Sequence, residues 1–483
     1  MECSKVDGRQ LHMSVLSQEN IDDIHMASLE ILEHTGLFVE LPKALEMLHG
    51  AGATVEGNKV RIPSFLVESA LKTVPHSVVL ADRDGRKSLF LEGNRSYFRG
   101  SCDNSLILDP FTGERREFVS SDYRLTARVV DACSSLHAGG CAGNARDYPA
   151  EVRAQVAFKQ SMLNMKKPFI AAPLDARQMS DIFETAAVIS GGYEQLRKAP
   201  FVVATCEPTT PLGIYKDAAD ILILSARENL PVVWYGMPSA GTTAPCSVGG
   251  VLTIGNAETL AGLVLHQLQN PGAPFIYGMM PGNTDMRSTQ WAYGSPDFAL
   301  MLAAATDIAH SYGLPFYGTA GCSDAINVDE QAAAESSVLC LMGQLSGANL
   351  IHDVGLMAGN RFISPEMMVL TNELIEMVDH ATQRVDTSRD ELCVDLIDQV
   401  GPHGHFLELD HTLKNFRRFW HSNIFLRLRL PDYPEDRPET VRERVNGKTR
   451  DMIETHEIEP LPRSVVSELE ELEKKWMASI DSK

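Results

Sequence analysis

The sequence predicts a closed, eight-stranded parallel α/β barrel, and three observations carry that expectation. Short apolar segments, most of them opening Pro-(Phe/Val)-(Ile/Val), recur at 136–140, 168–172, 200–206, 230–235, 274–278, 314–318 and 349–353. Segments of helical character separate them at 151–165, 177–189, 214–228, 256–269, 296–312 and 329–345, so one strand–helix unit takes roughly 30–45 residues. The Gly-rich fingerprint of the doubly wound alternative is missing, because neither Gly139-Gly140 nor Gly249-Gly250 completes GxGxxG. Seven units are legible, and 97–109 supplies the eighth strand needed to close a TIM (β/α)8 barrel.

Before the repeat, Ile21, Ile24, Ala27, Ile31 and Leu32 set an amphipathic helix over 17–35 that Gly36 stops. Further helices are expected at 41–51 and at 63–74, where Pro63 suits the first helical position. The turn Gly57-Asn58 makes 53–62 a hairpin, and 78–91 and 95–108 read as further strands. The expected organisation is a helical and hairpin cap over 1–95, a barrel over 96–382 and a helical extension over 383–483. Beyond 353 helices are expected at 365–382, closing the barrel, and at 389–399, opening the extension, followed by a tail from Pro431 rich in proline and charge. An acidic surface helix is expected at 463–480.

A chain of 483 residues that is 44% hydrophobic and 22% charged has the composition of a folded enzyme with a large core. Its formal net charge of −21 argues against nucleic acid or an anionic membrane as a main partner. Nine scattered cysteines without a CxxC pair point to a reducing compartment. With no basic-then-apolar leader, and no apolar run approaching ~18 residues, the expected location is the cytoplasm.

The stretch 314–335 concentrates polar groups at a strand's carboxyl end, where α/β folds place their sites: Gly318 and Gly321 break the strand, Cys322, Ser323 and Asp324 follow, and Asp329-Glu330 opens an Ala-rich helix. Rings also fall near strand ends, namely Tyr97, Phe98, Tyr235, Tyr277, Trp291, Tyr317 and Phe362. Singly, each is more often core packing; together at a barrel mouth they suit an organic cation drawn to ring faces. Cys141, Cys206 and Cys322 lie near strand ends but have no activating His beside them, so small buried hydrophobes are the expectation. His403, His405 and His411 have no matching thiolate pair, and structural or substrate-facing roles are expected over metal binding. Gly447-Lys448-Thr449 lacks the first glycine of a P-loop, since Arg442 stands there.

Four separated segments, L-S-Q-E-N-I-D-D-I-H-M-A-S-L-E-I-L-E-H-T-G, D-P-F-T-G-E-R-R, G-C-S-D-A-x-x-x-D-E-Q-A and G-P-H-G-H-F-L-x-x-D-H-T, resemble in order the trimethylamine methyltransferase family over essentially the full length. The resemblance implies a TIM barrel that moves a methyl group from an amine to Co(I) of a separate corrinoid protein, with no cofactor held permanently. Members acting on trimethylamine itself carry pyrrolysine, whereas every residue here is an ordinary one, so quaternary amines such as glycine betaine, proline betaine or carnitine are the implied substrates. The 321–328 neighbourhood is the implied equivalent of the pyrrolysine position.

On this reading Tyr97, Phe98, Tyr235, Tyr277, Tyr317 and Phe362 are candidate cage walls, His352 or Arg99 holds a substrate carboxylate, and Glu207 and Asp324 are polar groups at the mouth. The expected partners are a cognate corrinoid protein and a small quaternary amine; no nucleic acid or membrane is expected, and a homo-oligomer is open. Two rival readings are a zinc-dependent methyltransferase activating a thiol and a non-catalytic betaine-binding protein.

Overall fold

Alternation of side chains in eight short strands decides how this chain packs. The computed structural model describes residues 11–100, 103–432 and 439–481. Its strands are β1 (Tyr97–Gly100), β2 (Leu136–Gly140), β3 (Phe169–Ala171), β4 (Val202–Cys206), β5 (Val232–Gly236), β6 (Phe275–Met279), β7 (Phe316–Thr319) and β8 (Leu350–Val354). They pair parallel in sequence order and close, β8 against β1 and β1 against β2. The chain is therefore a (β/α)8 barrel, with 97–100 as the strand drawn from the expected 97–109 segment.

One inward residue from each strand (Tyr97, Ala138, Ile170, Val203, Val233, Ile276, Tyr317 and Leu350) forms a closed cluster with Val78, Leu80, Leu89 and Leu91. Those four belong to the antiparallel hairpin Val78–Ala81 and Lys87–Leu91. Ala81 N donates to Pro200 O and Arg83 N to Lys166 O, both just ahead of barrel strands, so the hairpin stops the amino-terminal end of the barrel. The outward residues join the larger core beneath the helices, which runs without a break into the N-terminal helices and the C-terminal ones.

The crossover helices are α1 (Ser121–Ala132), α2 (Arg153–Met162), α3 (Ala176–Ser190), α4 (Lys216–Glu228), α5 (Val248–Gln269), α6 (Pro296–Ser311), α7 (Glu330–Ser346) and α8 (Pro365–Ala381). Helix α5 is long and apolar enough to cross a membrane, but 72% of its apolar window is buried inside this fold. It presses on β5 so closely that a Cβ on Gly262 would lie 2.3 Å from Trp234 Nε1, and that indole donates to Glu258 O at 3.0 Å. Helix α5 also starts eight residues before the expected 256, because Gly249, Gly250 and Gly255 look like loop in the sequence.

The N-terminal helix Gln18–Glu30 has a capping box from Ser17 and Asn20, and its last turn widens over Ile31–Thr35 before Gly36, at φ 71°, ends it. Helices Pro42–Ala51 and Ser64–Thr73 flank the hairpin Thr54–Glu56 and Lys59–Arg61. Two features were not expected. Helix α1 was invisible among the charged residues after the D-P-F-T-G-E-R-R segment. The proline- and charge-rich tail contains the helix Val441–Thr455, capped by Thr440 and Glu443. Gly447-Lys448-Thr449 lies inside that helix, with Lys448 Nζ 3.6 Å from the buried Glu373 carboxylate. The helix Arg463–Asp481 follows and seats Leu469 and Trp476 in the core.

Candidate active site at the barrel mouth

The carboxyl ends of β2, β3, β4 and β5 open into a cleft of about 570 Å³. Its wall includes Thr205 and Glu207 from the end of β4, Tyr235 from β5, and Asp103 from the loop after β1. Tyr215 and Asp217 from the start of α4, and Arg146 and Arg153 from the segment after β2, complete the charged and aromatic lining. Glu207 is exposed to the cleft while protein packs densely around its carboxyl on the other sides. Burial, with Asp103 nearby, pushes its carboxyl up to about 7, and a hydrogen bond from Tyr235 opposes the rise. The loop that carries Glu207 is held from behind by Glu258 of α5, which accepts from Leu212 N at 2.8 Å and Thr210 Oγ1 at 2.8 Å. Burial pushes the Glu258 carboxyl up to about 7 as well.

Beneath the cleft lies a packed aromatic layer. Tyr317 and His352 stack at 4.2 Å and 10°, and Tyr235 meets both edge-on at 5.4 and 5.9 Å. The Arg99 guanidinium sits 5.6 Å from the Tyr317 ring, and its Nε and Nη2 both donate to the Tyr317 hydroxyl. Gly140 makes room for it, since a Cβ there would stand 2.4 Å from Arg99 Nη1. His352 Nε2 is 2.9 Å from Thr319 Oγ1 and Nδ1 is 2.8 Å from Asp353 Oδ1. Burial lowers the His352 pKa against the raising effect of Asp353, which favours the neutral ring. Tyr317, His352 and Arg99 are all buried, so Tyr235 is the ring that joins this layer to the open cleft.

Arg99, Glu207, Tyr235, Tyr317 and His352 are thus brought together, and the other five residues singled out in the sequence lie elsewhere. Tyr97 is inward but at the plugged end, where its hydroxyl accepts from Phe90 N at 3.3 Å. Strand alternation turns Phe98 and Tyr277 outward into the helical layer, and Tyr277 OH donates to Asn256 Oδ1 at 2.8 Å. Phe362 is buried in a short strand made by the loops after β8 and β1, with the Arg115 guanidinium 5.5 Å from its ring. Asp324 accepts from Tyr293 N at 3.2 Å and Gly294 N at 2.8 Å, and lines a separate cleft of about 270 Å³ with Trp291. Its neighbours in the 314–335 stretch are bound likewise: Ser323 Oγ and Asp324 N both donate to Glu335 Oε2, and Asp329 caps α7. That stretch braces two loops of the mouth.

Sequence reasoning missed Asp103, Arg146, Arg153, Tyr215 and Asp217. Their one available signal was position, since Asp103 and Arg146 follow strands β1 and β2 in loops, and Arg153, Tyr215 and Asp217 stand at the starts of the helices after β2 and β4. Cys206 and Cys322 are buried, and burial raises both thiols well above their ordinary range, as small hydrophobic packing requires. Among the described residues no three His, Cys, Asp or Glu side chains gather to hold a metal ion. His403, His405 and His411 are exposed, with His411 Nε2 3.5 Å from Cys393 Sγ.

Comparison with known proteins places this architecture. Residues 2–480 match the family described as trimethylamine methyltransferase (MTTB). The chain is 31% identical over 411 residues to a glycine betaine methyltransferase of Desulfitobacterium hafniense, covering 85% of this chain and 86% of the relative. It is 30% identical over 459 residues to the trimethylamine methyltransferase MttB of the same species, covering 94% and 92%. Among solved structures, the hydroxylamine MtmB complex superposes with a TM-score of 0.50 over 92% of this chain and 95% of that one; at 15% identity the likeness is one of fold.

Proposed function

The chain belongs to the trimethylamine methyltransferase family, and from that premise we propose that it moves a methyl group from a quaternary amine of the glycine betaine type to Co(I) of a corrinoid carried by a separate protein. The observation that carries this reading is the polarity of the cleft. Its inner wall presents the Glu207 carboxylate and the Tyr235 ring, with Asp103 beside them, while Arg146 and Arg153 line the same cleft. Arg153 is anchored through Nε on Tyr148 O at 2.8 Å. A zwitterion with an ammonium at one end and a carboxylate at the other matches that arrangement; trimethylamine has no group for the arginines.

The chemistry asks little of the protein beyond binding and aim. A quaternary nitrogen already has four bonds to carbon, so it leaves as a neutral tertiary amine, keeping the bonding pair, with no proton delivered. The corrinoid supplies the nucleophile when its carrier docks. Glu207 and Tyr235 hold the cation by charge and ring face, and the stacked Tyr317–His352 pair fixes the Tyr235 ring. Loss of the positive charge at nitrogen then ends the attraction to Glu207 and favours release. The seven described cysteines are all free thiols, which supports a reducing, cytoplasmic setting.

Consumption of Co(I) cobalamin, followed by absorbance with glycine betaine, proline betaine, carnitine and trimethylamine, tests the proposal. A betaine is expected to react fastest. Equal or faster reaction with trimethylamine would remove the betaine reading.

A further inference from the structure

Glu258 is a buried acid that the methyl transfer itself does not use. It stands on α5 at 2% exposure, and the groups that act on its carboxyl are two hydrogen-bond donors, Leu212 N and Thr210 Oγ1, with no cation among them. Strand β5 makes room for it: a Cβ on Gly236 would stand 2.5 Å from Glu258 Oε2. What the carboxyl holds is the segment that brings Glu207, Thr209, Tyr215 and Asp217 to the cleft. That segment folds back on itself, with Thr209 N donating to Gly213 O at 2.7 Å and Gly213 N to Thr209 O at 3.0 Å. Inside the turn, Leu212 has φ 58°, a left-handed conformation that non-glycine residues rarely adopt and that persists only where its surroundings impose it. Both backbone groups of Leu212 are held. Its N–H donates inward to Glu258 Oε1 at 2.8 Å, and its carbonyl accepts from Phe38 N at 2.9 Å on the outer side. The outer grip is the N-terminal strand Leu37–Val39, which runs parallel to Gly213–Ile214, and Glu40 Oε2 accepts from Lys216 N at 2.9 Å. The inner grip is Glu258 alone.

We propose that Glu258 is a positioning residue for the cation-binding wall: its two hydrogen bonds fix the 209–213 turn, and through that turn the place from which Glu207 and Tyr215 face the amine. The role rests on the reading of Glu207 as the group that holds the ammonium. Because Thr209 and Gly213 are bonded to each other, the turn moves as a unit, and any shift of Leu212 is passed to the residues on either side of it. What the turn requires of position 258 is shape. A glutamine offers the same oxygen to Leu212 N and an N–H to Thr210 Oγ1, which accepts as readily as it donates. An alanine offers neither, and leaves a strained turn with its inner face unsupported.

The test is calorimetric titration of glycine betaine into the full-length chain across pH 5–8, with amide hydrogen exchange followed by mass spectrometry on peptides from 207–218. Glu258→Ala should speed exchange in those peptides and weaken binding at pH 8 roughly tenfold. The midpoint of affinity against pH should also fall from about 7 toward the ordinary carboxylate range, because a Glu207 carboxyl no longer packed in place gains water. Glu258→Gln should restore all three readouts. It also removes the second carboxyl pushed up to about 7, so the midpoint that remains belongs to Glu207, faced by Asp103 and Tyr235. Thr210→Val loses one of the two bonds at a half-buried side chain and should move each readout the same way by less, which keeps the test decisive if Glu258→Ala does not fold. A Glu258→Ala protein that melts lower yet keeps its affinity and midpoint overturns the role, as does a Glu258→Gln protein as impaired as Glu258→Ala. A wild type without affinity for glycine betaine is a different failure: it removes the reading of the cleft, and the positioning role with it.

Discussion

Burial and Asp103 push the Glu207 carboxyl up to about 7, and that sets how the free protein should respond to pH. The carboxyl is thus neutral and indifferent to a cation at pH 5 and an anion at pH 8. Betaine affinity should therefore rise with pH and level off above 7, falling about tenfold per unit well below it. Glu207→Gln should flatten that profile and weaken binding at pH 8 by roughly 1–3 kcal/mol, less than the ~4 kcal/mol of two charges 4 Å apart because the cleft admits water. The same raised pKa stabilises the fold below the carboxyl's unfolded value and is lost as pH rises through 7. Glu207→Gln should consequently melt no lower than wild type at pH 8. Calorimetric titrations and melts across pH 5–8 check both halves, and an affinity independent of pH would take Glu207 out of the site. At His352 and Tyr97 the expected effects are on stability. His352→Ala loses a stacked ring and strands Thr319, costing roughly 1–3 kcal/mol. Tyr97→Ala empties the barrel floor, costing about 3–5 kcal/mol, with betaine affinity unchanged at the folded protein.

At the scale of elements, the β7–α7 loop should behave as a brace. Asp324→Ala strands two backbone N–H groups of the β6–α6 loop, and Glu335→Ala frees Ser323 and Asp324 N. Each should cost about 1–3 kcal/mol by denaturant melts and leave betaine affinity within twofold. A change of affinity larger than the change of stability would make Asp324 a contact to substrate. The barrel strands were legible because they are short apolar runs, buried on both sides, and five of them, β3 to β7, open at or beside a proline. That same burial hid their facing. In Tyr97-Phe98-Arg99 and Phe275-Ile276-Tyr277 both parities are apolar or aromatic, so nothing in the residues told inward Arg99 from outward Phe98 and Tyr277. Helix α1 was hidden by its mixed polar composition, and α5 by its glycines, which serve close packing on β5. The cleft was legible where a strand end supplies the residue, as with Glu207 and Tyr235. It was illegible at Arg146, which lies in a loop without periodicity, and at Arg153 and Asp217, which stand in the first turns of helices where a charged residue reads equally well as a solvated face.

At the scale of the whole molecule, the hairpin at 78–91 has a consequence for the order of events. It stoppers the barrel at one end, and the aromatic layer of Tyr235, Tyr317 and His352 packs the interior above it, so no path runs through the barrel and the doorway of the described cleft is at the mouth. The amine and the protein that receives its methyl group must share that doorway, and the larger visitor shuts it. Traffic is then compulsory: the amine enters first, the acceptor protein follows, and the demethylated amine waits until the acceptor has gone. Initial rates with both reactants varied should show this sequential order, and a large excess of acceptor protein should slow turnover at low amine and be relieved by more amine. Free cobalamin, small enough to leave gaps at the threshold, should produce no such self-obstruction.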